Sequence, residues 1–209
     1  MRPQRRWLWF LFGLLIAAGA VQLAGQSPRV SLAAPSACVP GPHSGAITAD
    51  QTWCLVDSPH LVQGTVTIAP GVTLSLEPGV IVRVPGYPYD IGLVVQGELQ
   101  SIGTPAQPIT LTSTDGGPTW AGLIVDGGSA TLGHTTVEYA CSDVRKSNVA
   151  VINGGQLELA DCTLRECHYG GGAGERMLYI DNGTATVAES TFTTCFVLRS
   201  RIVSLRTTE

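Results

Sequence analysis

Val125-Asp126-Gly127-Gly128, followed by Leu132-Gly133-His134-Thr135-Thr136-Val137, is the stretch that decides the fold, because the chain repeats its pattern twice. It returns as Ile152-Asn153-Gly154-Gly155 with Leu159-Ala160-Asp161-Cys162-Thr163-Leu164. It returns again as Ile180-Asp181-Asn182-Gly183 with Val187-Ala188-Glu189-Ser190-Thr191-Phe192. Each copy sets an aliphatic residue before a polar-glycine turn, a second aliphatic seven positions on, and a third apolar residue five after that. The starts Val125, Ile152 and Ile180 stand 27 and 28 residues apart. Short β-type runs and turn residues recurring at this period are the signature of a solenoid, in which each coil is too small to bury its own apolar face and is covered by the next.

The same grammar extends toward the N-terminus. Leu93-Val94-Val95-Gln96-Gly97 repeats the opening of the later copies, and Ile109-Thr110-Leu111-Thr112 follows it through the loop at 103–108. Further back, Val66-Thr67-Ile68, Val72-Thr73-Leu74-Ser75-Leu76 and Val80-Ile81-Val82-Arg83-Val84 are β-runs separated by Pro70-Gly71 and Pro78-Gly79. The composition agrees: 44% hydrophobic, 13% charged, with 25 Gly and 13 Pro, disfavours helices and favours many short strands. About five coils result. Leu132/Leu159/Val187 and Val137/Leu164/Phe192 are expected as interior ladders, and Thr135/Cys162/Ser190 as a ladder of small side chains at a tight turn. Asp126/Asn153/Asp181 should stand at a corner, where Asn and Asp satisfy turn backbone groups. If Val125, Ile152 and Ile180 point inward, Val94, Ile124, Val151 and Tyr179 form an outward apolar stripe that something should cover.

The chain divides into a leader at 1–25, a Pro/Ser/Ala/Gly-rich linker at 26–45, the repeat domain at 46–195 and an irregular tail or cap at 196–209. Arg2, Arg5 and Arg6 precede the apolar run Trp7 to Gly25, the arrangement of a signal peptide or a retained N-terminal anchor. Small-residue cleavage sites stand at Ala18-Gly19-Ala20 and Ser31-Leu32-Ala33. The expected location is therefore extracellular or the cell surface, with membrane contact only through residues 7–25. The tail offers Ile202-Val203-Ser204-Leu205 as a final, partly capping strand. Six cysteines in an exported chain suit disulfides. Cys38 and Cys54 stand together and apart from the rest, so they should pair. Cys141, Cys162, Cys167 and Cys195 allow three pairings; Cys167 with Cys195 is preferred, because they occupy the same place in successive repeats.

Ile47-Thr48-Ala49-Asp50-Gln51-Thr52-Trp53, GVTLSLEPGVIVRV (71–84), GELQSIGTPAQPITLTST (97–114) and TWAGLIVDG (119–127) resemble the opening coils of right-handed parallel β-helix proteins of the pectin-lyase-like type. More narrowly, they are similar to modules of bacterial and archaeal secreted or surface proteins. The resemblance covers about residues 47–195. It implies an all-β, right-handed parallel β-helix of about five coils. It implies less about activity, since that superfamily contains polysaccharide lyases and hydrolases and also adhesin-like proteins without catalysis.

Formal net charge is −4, and between Cys38 and Cys195 acids far outnumber bases, which excludes a nucleic-acid partner. His134, Asp161 and Glu189 share one repeat position and would line up as a ligand or acid/base row; the plainer reading is a solvated turn. Asp126, Asn153 and Asp181 offer oxygens to calcium, the one ion considered; otherwise no cofactor or metal is expected, and no Cys/His spacing suggests zinc. Glu138 and Arg165 should pair across coils. The loops at 142–148 and 168–176 leave the coil at equivalent points, so Asp143, Arg145, Lys146, His168, Tyr169, Glu175 and Arg176 form a candidate loop site. Tyr87 and Tyr89 are candidates for stacking on a sugar ring. The Asp-rich signature of a polygalacturonase-like hydrolase and the calcium-plus-arginine pattern of a lyase are both missing. The expected function is a non-catalytic extracellular or surface module for interaction, adhesion or scaffolding, its partner a cell-surface glycan or protein; the alternative is a carbohydrate-active enzyme or glycan-binding module of the same fold.

Overall fold

The computed structural model describes residues 37–86, 90–114, 116–117, 120–141, 147–167 and 176–193, and the backbone of 203–206. The chain order is β1 (His43–Ile47), β2 (Gln51–Trp53), a 3-10 turn (Leu55–Asp57), β3 (His60–Ile68), β4 (Thr73–Leu76), β5 (Ile81–Val84), β6 (Gly92–Val95), β7 (Glu98–Ile102), β8 (Ile109–Ser113) and β9 (Gly122–Asp126). It continues with β10 (Ser129–Gly133), β11 (Thr135–Glu138), β12 (Ser147–Ile152), β13 (Gln156–Ala160), β14 (Thr163–Arg165), β15 (Arg176–Asp181), β16 (Thr184–Ala188), β17 (Thr191–Thr193) and β18 (Val203–Arg206). All paired strands run parallel, and no strand pairs with its sequence neighbour. That is a parallel β-solenoid of about five turns. Among the described residues no helix is long and apolar enough to cross a membrane; the leader at 1–25 lies outside them.

Three faces enclose the core. Sheet A stacks β2, β4, β7, β10, β13, β16 and β18. The eleven-stranded sheet divides at the long β3: His60 and Leu61 pair with β5, whereas Val66 to Ile68 pair with β6. Its arms are sheet B (β1, the end of β3, β6, β9, β12, β15) and sheet C (the start of β3, β5, β8, β11, β14, β17). Alternation along each strand sends every second side chain inward. Leu132 pairs with Leu159 and that with Val187; Val137 pairs with Leu164 and that with Phe192. Both expected interior ladders are present, buried except for the half-exposed Phe192.

The corners differ from one another. Sheet A turns into sheet C through a left-handed residue in each of three coils, His134 (φ 45°), Asp161 (φ 56°) and Glu189 (φ 46°). The residue immediately after it then caps the carbonyl two places before itself. Thr135 Oγ1 donates to Gly133 O at 3.0 Å, Cys162 Sγ to Ala160 O at 3.3 Å and Ser190 Oγ to Ala188 O at 2.8 Å. The small-residue ladder is thus a ladder of donors, buried at Thr135 and Cys162 and half-buried at Ser190, and burial pushes the Cys162 thiol pKa up. Sheet B turns into sheet A through glycines. A Cβ on Gly97 would lie 2.3 Å from both Ala69 O and Val72 O, so the coils close only because none is there.

One offset departs from the sequence expectation. Val125 pairs with Val151, and Val151 with Ile180; Ile152 pairs instead with Asp126 and Asp181. The corner 153–155 holds one residue more than Gly127-Gly128 or Asn182-Gly183, which moves the register of β12 by one place and hence to the other face. Val151 is therefore interior and fully buried, and the outward row on sheet B reads Val94, Ile124, Ala150, Tyr179. It is no open stripe: Ala150 is buried and the other three are half-buried.

Strand β1 begins at His43, inside the stretch read as linker, and Cys38 bridges to Thr52. Cys38 and Cys54 form the expected disulfide. The second joins Cys141 to Cys167, not Cys167 to Cys195. Cys141 follows Ala140, which bridges to Trp120, and the Cα atoms of Cys141 and Cys167 stand 5.3 Å apart across successive coils. Cys195 lies outside the described residues. Strand β18 pairs with β16, so the tail adds a sheet A rung.

The corner geometry predicts a contrast between two glycines. Gly97→Ala forces a Cβ into two carbonyls and should cost about 3 kcal/mol in urea unfolding. Gly133→Ala, whose nearest new neighbour is Ile102 Cγ2 at 3.5 Å, should cost under about 1 kcal/mol. Equal losses at the two positions would contradict the packing described.

Candidate functional site

The His134/Asp161/Glu189 row is brought together in space by the stacking, but as a turn. Each residue supplies the left-handed backbone of the A-to-C corner. His134 Nε2 stands 3.9 Å from Asp161 Oδ2, beyond hydrogen-bond reach, with both side chains well exposed. Among the described residues these three do not converge on a metal-sized site. The one described grouping that does is Cys38, Cys54 and Glu77, and its thiols are spent in a disulfide. The Glu77 carboxylate there accepts the Leu55 N–H at 2.8 Å.

Of the candidate loop site only Arg176 is described; Asp143, Arg145, Lys146, His168, Tyr169 and Glu175 lie outside the described residues, as do Tyr87 and Tyr89. Arg176 opens β15 in register with Ser147, and its guanidinium lies 5.4 Å from the centroid of the Tyr179 ring. Tyr179 in turn donates from its hydroxyl to Asp181 Oδ2 at 3.3 Å.

Glu138 and Arg165 pair as expected, on the outer face of sheet C. Arg165 Nε donates to Glu138 Oε2 at 2.6 Å, and Thr112 Oγ1 donates to Glu138 Oε1 at 3.0 Å. Both carboxylate oxygens are thus occupied, and Trp120 Nε1 donates to the Glu138 carbonyl at 2.9 Å. Beside this pair runs a threonine row, Thr110, Thr136, Thr163 and Thr191, in register on four successive coils.

The outer face of sheet A is a continuous polar surface among the described residues. Its rows read Thr73, Glu98, Ser129, Gln156, Thr184 and Ser75, Gln100, Thr131, Glu158, Thr186. Equivalent residues stand about 4.8 Å apart along the axis. Where this face meets sheet B, the side-chain-free glycines leave a groove of about 360 Å³ lined by Gly71, Thr73, Gln96, Glu98, Ser129 and Gln156, among others. Asp126 flanks it, accepting from Asn153 Nδ2 at 2.6 Å and from Gln96 Nε2 at 3.4 Å. The only described Lys or Arg side chains, Arg83, Arg165 and Arg176, stand on sheets C and B. Among the described side chains this face therefore carries carboxylates, carboxamides and hydroxyls and no cation; Arg206 ends β18 on the same sheet, where only its backbone is described.

Sequence reasoning missed the cluster that closes the N-terminal coil. His43, Trp53 and His60 stack, His43 on Trp53 at 3.9 Å between centroids and His60 on the same ring at 5.3 Å. His60 Nε2 lies 2.9 Å from Cys54 O, which can only accept, so His60 carries its proton there. Its Nδ1 then accepts from His43 Nε2 at 2.9 Å. This neutral relay is buried, and burial first, then the neighbouring His60, lowers the His43 pKa from 6.5 to about 4. His43 fell in apparent linker, and nothing in the spacing of two histidines 17 residues apart announced the contact.

No family model, no curated protein and no solved structure matches the chain.

A pH dependence follows from the histidine relay. The folded pKa of His43 lies below its unfolded one, so the unfolded chain binds that proton first. The contribution is complete above about pH 6.5 and is lost as pH falls toward 4. Unfolding free energy should drop by about 2 kcal/mol more between pH 7 and pH 5 in the native chain than in His43→Gln. Parallel pH profiles for the two would contradict the buried neutral pair.

Proposed function

We propose that this chain is a non-catalytic, extracytoplasmic β-solenoid module that holds an uncharged glycan on the outer face of sheet A. The observation that carries the reading is that face: two in-register rows of hydroxyl, carboxamide and carboxylate groups, alongside a glycine-floored groove and with no cation among their described side chains. Such groups donate to and accept from sugar hydroxyls, whereas Glu98 and Glu158 repel polyanions such as uronate polymers. The acids that repeat at the A-to-C corner do not converge on one site, and Glu138 is held by Arg165 and Thr112, which supports binding over turnover. Two disulfides fit an oxidising compartment and agree with export by the basic-apolar leader, cleaved or retained as an anchor. The resemblance of residues 47–195 to pectin-lyase-like solenoids of secreted and surface proteins points to the same ligand class and supplies the competing reading, a polysaccharide lyase or hydrolase.

Affinity electrophoresis through gels containing neutral or uronate polysaccharides, with product analysis of the same mixtures, tests this. Retardation by a neutral polymer with no new chain ends is expected. Gln100→Ala and Thr131→Ala should each weaken it by roughly fivefold, about one hydrogen bond. Retardation by uronates alone, or a new reducing end or unsaturated product, would establish the competing reading.

A further inference from the structure

The described residues contain three asparagines, and the fold treats each differently. Asn148 is wholly buried, with Nδ2 directed to Arg165 O at 3.0 Å and Val137 O at 3.4 Å. Asn153 is exposed, but its Nδ2 is bound to Asp126 Oδ1. Asn182 is exposed at the B-to-A corner of the last described coil, with φ 54°, and its carboxamide makes no hydrogen bond among the described residues. Its backbone, by contrast, is fixed: Asn182 O accepts from Gly154 N–H, and a Cβ on Gly183 would lie 2.7 Å from Val151 Cγ1.

Asn182 is also the one asparagine followed two places later by a hydroxyl residue, in Asn182-Gly183-Thr184. Thr184 is exposed and heads β16 at the end of an outer row of sheet A. Asn-X-Thr on the surface of an exported chain is the acceptor pattern for an oligosaccharide. We propose that Asn182 is an N-glycosylation site, occupied during export by transfer from a lipid-pyrophosphate-linked oligosaccharide. Asn182 Nδ2 forms a bond to the anomeric carbon as the bond from that carbon to the pyrophosphate oxygen breaks. The lipid pyrophosphate leaves with the electron pair, and the amide gives up one proton. The transferase of the exporting membrane catalyses the step, and this chain supplies only the acceptor. Open space at the corner accommodates the product, since Asp181, Asn182 and Thr184 are all exposed and the coil packs on the opposite side.

The inference rests on the extracytoplasmic reading, and the experiment separates the two. The full chain is recovered from its own producing cells, as cell-internal and exported fractions, and the peptide spanning Asn182 is weighed by mass spectrometry. A sugar-sized mass increment on that peptide in the exported fraction is expected. Asn182→Gln and Thr184→Ala should abolish it, while Thr184→Ser and Asn153→Gln retain it. An exported chain with bare Asn182 overturns the glycosylation site alone. A chain found only inside the cell overturns both readings. The spared Asn153→Gln variant, together with intact Cys38–Cys54 and Cys141–Cys167 bridges in every variant, shows that loss of the increment is not loss of the fold.

Discussion

Every coil of this protein must return to its starting direction one strand spacing, about 4.8 Å, further along the axis. That requirement makes each residue the neighbour of its own equivalent in the next coil, and most of the structure follows from it. Leu132, Leu159 and Val187 fill the same position in successive layers, so the interior is built by repetition. The corners carry the strain. One is turned by left-handed His134, Asp161 and Glu189, a backbone region that non-glycine residues seldom occupy. The carbonyls just before them, of Gly133, Ala160 and Ala188, are then held by the hydroxyl or thiol of Thr135, Cys162 and Ser190. Another is turned by glycines whose missing Cβ lets the carbonyls of the preceding coil approach.

Stacking also sorts polar residues by purpose. A residue that recurs at a corner serves the turn with its backbone, and His134, Asp161 and Glu189 line up there without converging on a ligand-sized site. A charge recurring on a flat face meets its neighbour, as Glu138 meets Arg165. Groups left to face solvent in long rows are those of sheet A, and the proposed glycan contact uses them. At the first described coil the chain uses another device, the Cys38–Cys54 bridge beside stacked His43, Trp53 and His60.

What the sequence revealed tracks how local the determining interaction is. The interior ladders, the Glu138–Arg165 pair and the first disulfide were legible, because each depends only on equivalent offsets or close spacing. An alignment on the glycines puts Val151 outside because Asn153-Gly154-Gly155 holds a single additional corner residue, and a shift of one place exchanges the inward and outward sets of the preceding strand. Cys141 pairs with Cys167 for a related reason: one place of offset in sequence does not separate them when a turn intervenes, and their Cα atoms are 5.3 Å apart. His43 and His60 carried no periodic signal at all. Their contact exists because β1 lies beside β3, a pairing between a stretch that read as linker and the first coil. Asn182 was legible as part of a corner, but its free carboxamide became evident only beside the engaged Asn148 and Asn153.

The central claim is the in-register return, including the shifted corner. Isotope-edited NMR of the full chain reads it directly through backbone cross-peaks between paired strands. The account predicts contacts linking Ile124 with Ala150 and Val125 with Val151, and then Ala150 with Tyr179 and Val151 with Ile180. Cross-peaks joining Val125 to Ile152 and Ile152 to Ile180 would contradict it, since that register turns Val151 outward and dissolves the interior row on which sheet B is built.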